Sequence, residues 1–106
     1  MLYAHGADVV INGHEHDYER FAPQDNHANA DPEHGIREFV AGTGGGYEAP
    51  DLSGKYFTDP PKPNSEVRAA PAYGVLKLTL HRGSYDFQFL PAAGSTFTDS
   101  GSGSCH

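Results

Sequence analysis

The sequence predicts a chain built mostly of β-strands and long loops, on three observations. First, 13 glycines and 8 prolines in 106 residues suit a loop-rich β structure better than a helical one. Second, Val9-Val10-Ile11 is a near-continuous apolar run of the kind a buried strand shows. Third, large apolar residues alternate with polar ones over 76–80 and again over 85–89, the two-residue period of a half-covered sheet.

Taken in order, residues 2–7 read as the end of a helix, with Gly6 as its stop signal. Residues 8–12 form a short buried strand. Gly13 permits a tight turn, because glycine accepts backbone angles closed to other residues. Tyr18-Glu19-Arg20 continues into further structure. Residues 22–34 are polar, carry Pro23 and Pro32, and read as a loop in which His27 and His34 face solvent. Residues 36–42 form the second strand; Ile36, Glu38 and Val40 alternate with Arg37, Phe39 and Ala41, so both faces are partly covered.

Glycines 42, 44, 45 and 46 follow that strand. A phosphate cradle would need a following helix and usually a Lys-Ser or Lys-Thr pair. Tyr47-Glu48-Ala49-Pro50 follows instead, which predicts a flexible strand-to-loop turn, with a loop that lines a metal cleft as the alternative. Residues 47–72 show little regular pattern and five prolines, with Tyr47, Tyr56 and Phe57 as apolar anchors. This stretch either rims a cleft or is a surface excursion.

Residues 73–90 predict a β-hairpin whose register can be derived. A two-residue loop at Arg82-Gly83 pairs 80 with 85, 78 with 87 and 76 with 89, placing Leu76, Leu78, Leu80, Tyr85, Phe87 and Phe89 on one face. Glycine at the second loop position suits a type I′ turn. His81 then points outward. Residues 94–103 are rich in Gly, Ser and Thr and read as a linker or frayed end, so the chain divides into 1–93 and a tail, 94–106.

The size allows one domain with a modest core. A net charge of −7 argues against nucleic acid as a partner. No run approaches the ~20 apolar residues of a membrane span. The single cysteine, Cys105, is either an inert exposed thiol or the partner of a cysteine elsewhere. No side chain stands out as a catalytic nucleophile.

The chemistry concentrates in Gly13-His14-Glu15-His16. Imidazole is the commonest protein ligand for zinc and also serves iron. On a straight strand His14 and His16 would face opposite ways, so sharing a site requires the loop after the strand. Two histidines do not fill a site: structural zinc needs four ligands and catalytic zinc three plus water. Asp8, Asn12, Glu15 and Asp17 are the nearest further donors, and none stands at a ligand spacing. On these residues alone, a metal site and ordinary loop histidines both remain open.

The stretch from Gly6 to Phe21, with Gly-His-x-His followed by Tyr18-Glu19-Arg20, resembles the last motif of the calcineurin-like metallophosphoesterases, in particular the purple acid phosphatase-like branch. Gly42-Thr43-Gly44-Gly45, Tyr73-Gly74-Val75-Leu76-Lys77-Leu78 and Phe97-Thr98-Asp99-Ser100-Gly101-Ser102-Gly103 extend the likeness. The resemblance implies an α/β sandwich of two mixed sheets flanked by helices, and hydrolysis of small phosphoric esters at a two-metal centre holding Zn, Fe or Mn. His14 would be a ligand of one ion and His16 of its neighbour. Gly13 and Arg20 would support the loop, Arg20 through an ion pair or backbone contact. The ions, not a side-chain nucleophile, would carry the chemistry.

The family's other ligand motifs do not precede Gly13, so the chain is expected to be the C-terminal part of such an enzyme and inactive without the N-terminal half of the domain. A secreted or cell-envelope location follows from the same likeness. The alternative is a β-rich structural or binding module without turnover.

Overall fold

The computed structural model describes residues 1–47 and 50–106; Glu48 and Ala49, from the segment after the glycines, lie outside the described residues. Seven strands form two sheets. They are β1 (Val9–Asn12), β2 (Tyr18–Phe21), β3 (Arg37–Ala41), β4 (Ser65–Ala69), β5 (Gly74–His81), β6 (Ser84–Pro91) and β7 (Ser100–Ser104). The first sheet is mixed, in the order β1-β3-β2-β4, with β1 parallel to β3 and the other pairs antiparallel. The second is antiparallel, in the order β5-β6-β7. Among the described residues the only helix is a 3-10 turn, Tyr3–His5, so the chain is β-rich and shows no flanking α-helices. Gly6 ends that turn in the left-handed region, as its stop role requires. No helix among the described residues is long and apolar enough to cross a membrane.

The hairpin register agrees with the derivation: Leu76 faces Phe89, Leu78 faces Phe87 and Leu80 faces Tyr85. Two details differ. Gly83 has φ 80° but Arg82 does not take a positive φ, whereas a type I′ turn needs both. Leu80, at the turn end of β5, extends past the cover and is 78% exposed.

The aromatic side of β6 packs onto the first sheet and makes the core. Tyr18, Phe39 and Phe89 are fully buried. Phe39 meets Phe87 at a centroid distance of 5.0 Å, and Tyr18 meets Phe89 at 5.0 Å and Phe97 at 5.2 Å, tilted geometries that suit aromatic quadrupoles.

Four expectations are corrected. The irregular stretch 47–72 contains β4, held by pairing with β2 and not by any apolar period of its own. The tail is no linker: β7 pairs with β6 along Ser84–Gln88, and Phe97 packs against the core. The strand over 8–12 begins at Val9 and is only partly covered, because β1 is an edge strand. The Tyr47 side chain is 82% exposed and so is no apolar anchor, whereas Phe57 lies 3.9 Å under the Arg68 guanidinium.

Candidate metal-ligand loop

Because β1 and β3 run parallel, their carboxyl ends lie at the same edge, with Asn12 beside Val40. Two loops leave that edge together. Residues 13–17 lead into β2, and residues 42–47 follow β3. The crevice outside the carboxyl ends of parallel strands is a recurrent place for ligand sites.

His14 and His16 both lie on the first loop and both are exposed. The strand alternation that would have separated them is broken there. Gly13 does not take a positive φ, so its expected conformational role is corrected. A β-carbon there would sit 3.4 Å from the Ala41 carbonyl, an ordinary contact.

The obligatory glycine is Gly42. A β-carbon on it would overlap the Glu15 carbonyl and lie 2.8 Å from the Gly13 carbonyl. Its N–H donates to the Asp17 carbonyl at 3.1 Å, closing the histidine loop against the end of β3. The next residue fixes the second loop to the other sheet. Thr43 is buried, its hydroxyl donates to the Gly74 carbonyl at 2.9 Å, and its own carbonyl accepts from the Gly74 N–H at 3.1 Å.

Gly46 then passes directly over His16. A β-carbon there would lie 2.6 Å from Cε1 and 2.7 Å from each ring nitrogen. The His16 Nδ1 is 3.4 Å from the Tyr47 carbonyl. The sequence left open that the glycine loop lines a metal cleft but gave no sign of these two contacts to His16. A separation of 31 residues leaves no local signal of the contact.

Arg20 is engaged in the ion pair expected of it. Its Nε donates to Asp99 at 2.7 Å, and its Nη1 pairs with Glu66. The Tyr18 hydroxyl donates to the same Asp99 carboxylate at 2.7 Å. Burial alone would raise the Asp99 carboxyl, but the hydrogen bonds from Arg20 and Tyr18 and the Arg20 charge outweigh it and hold it below the ordinary value. Burial, then the bond to Asp99, pushes the Tyr18 hydroxyl up.

Of the other donors near the loop, the Asn12 amide donates to Glu38 at 2.6 Å, and Asp8 accepts from the His106 N–H at 2.9 Å. Asp17 is buried and Glu15 exposed. Among the described residues no group of three or more His, Cys, Asp or Glu is arranged to hold a metal ion. A cleft of about 390 Å³ beside the loop is lined by Glu15, Asp17, Tyr56, Phe57 and Lys62, with neither His14 nor His16 in its lining. His81 is outward and exposed, paired with Asp86 at 2.7 Å; His27 and His34 are exposed. Cys105 is a free, exposed thiol.

Comparison with family models, with curated proteins and with solved structures gave no match.

Proposed function

We propose that this chain carries the two-histidine ligand loop of a metal-dependent phosphoric ester hydrolase of the calcineurin-like, purple acid phosphatase-like kind. The observation that carries the reading is the setting of His14 and His16: one exposed loop at the carboxyl end of a parallel strand pair, closed onto β3 by Gly42. The donor chemistry fits. Exposed imidazoles can turn a nitrogen to a cation without first breaking a buried contact, and they suit Zn, Fe or Mn. His14 and His16 would each hold one ion, with the remaining ligands supplied from the N-terminal half of the domain. Two bound cations would supply charge neutralisation and a clamp for the attacking and leaving oxygens of an in-line displacement at phosphorus. The chain's own part is to hold the imidazoles: Gly42 and Thr43 fix the neighbouring loop, while Tyr18 and Arg20, tied to Asp99, fix the strand that leaves the site.

A second reading, a β-rich binding module without turnover, draws on the edge of β1. That strand is paired on one side only, and Ile11 on it is 49% exposed.

The test measures zinc retention and hydrolysis of a chromogenic phosphate ester for the chain and its His14→Ala variant. Zinc affinity is expected to fall about tenfold or more in the variant, with any ester hydrolysis falling in parallel. Zinc retention that is indifferent to the substitution would sink the reading.

A further inference from the structure

A histidine that ligates through one ring nitrogen commonly has the other held by a carbonyl or carboxylate, which sets both the tautomer and the orientation of the ring. The geometry points to the Gly46–Tyr47 segment as that positioning device for His16, an inference that rests on the metal reading for its purpose but not for its test.

Three observations converge. The Tyr47 carbonyl lies 3.4 Å from Nδ1. A backbone carbonyl can only accept, so the contact requires the proton on Nδ1 and leaves the Nε2 lone pair open. Gly46 covers the ring so closely that any β-carbon would meet Cε1 and both nitrogens within 2.7 Å. The base of the segment is not free to drift, because Gly42 is bonded to Asp17 and Thr43 to Gly74. An alanine at 46 would therefore push the exposed His16 ring away from this position. Gly44 has nothing within 4 Å of its β-carbon position and no positive φ, so an alanine there is accommodated. The two glycines of one loop make different predictions.

The experiment reads the His16 ring nitrogens by 15N NMR in the metal-free chain at pH 8, where ordinary imidazole is neutral; a His16→Asn sample assigns the resonances. The Nδ1–H tautomer is expected in the wild-type chain and in Gly44→Ala, and its loss in Gly46→Ala. Zinc is then titrated into all three, and Gly46→Ala should bind about tenfold more weakly. An Nε2–H tautomer in the wild-type chain overturns the inference, as does a Gly46→Ala spectrum and affinity matching the wild type. An Nδ1–H tautomer that yields to Gly46→Ala while no sample binds zinc supports the loop's hold on the ring and overturns the metal reading instead.

Discussion

Asp99 shows how one carboxylate can join distant parts of a small chain. It accepts from a buried tyrosine and a nearly buried arginine, 81 and 79 residues away in sequence. Hydrogen bonds to a charged group contribute more than neutral ones, so Asp99→Asn should cost about 2 kcal/mol at neutral pH. The folded carboxyl lies below its ordinary value of 3.8. Its contribution is therefore fully present above that value and is lost as pH falls through the lower, folded one. Urea unfolding at pH 7 and near pH 3 checks this: the gap between wild type and variant should narrow in acid. A gap that stays constant would show that the charge of Asp99 is not what stabilises the fold. Tyr18 and Arg20 were legible as residues that follow the histidine loop, but their shared partner was not, since nothing near residue 20 points to residue 99.

At the scale of elements, the hairpin and the two unread strands make a contrast. β5 and β6 alternate apolar and polar residues, and a slip of one residue would turn the aromatic side out of the core. That constraint is local, so the register could be derived. β7 is Ser-Gly-Ser-Gly-Ser, with no apolar period to read. It is a strand because β6 offers it a hydrogen-bonding edge and because Phe97, just before it, packs half-buried against Tyr18 and Phe89. β4, with Glu66 and Arg68 in its five residues, is likewise held by its neighbour and by charge pairing. Ending the chain at Ala93 should then expose the edge of β6 and remove both Phe97 and Asp99. Thermal melting followed by circular dichroism should show a broad transition in place of a cooperative one. A truncated chain that melts as the full one does would restore the tail to the linker it resembles in composition.

The whole molecule is two sheets joined through an aromatic layer, with Val9, Val67, Leu76 and Leu78 packed against it. Phe39, from the mixed sheet, and Phe87, from the antiparallel one, meet edge-on near its centre. Phe39→Ala removes the first of these from a fully buried position and should cost about 4 kcal/mol, measured by urea unfolding. For a domain of this size that is a large share of the ~5–15 kcal/mol typical of native stability. The same arrangement locates the candidate site. Thr43 bridges the sheets directly beside the glycine loop, so loosening the sheet contact should loosen the hold on His16 as well.

By itself the sequence determined the features that depend on neighbours along the chain. The two-residue period set the hairpin and its pairing, Gly6 ended the first turn, and the run before Gly13 put both histidines in a loop instead of on a strand. Only the tertiary structure decided which distant groups meet: β4 on β2, β7 on β6, Asp99 on Tyr18 and Arg20, and Gly46 over the His16 ring. The physical reason is the range of each constraint. Strand period and turn preference act over a few residues and leave a pattern. Hydrogen-bonding edges, charge pairs and the space beneath a glycine are satisfied by whatever the fold brings close, and leave none.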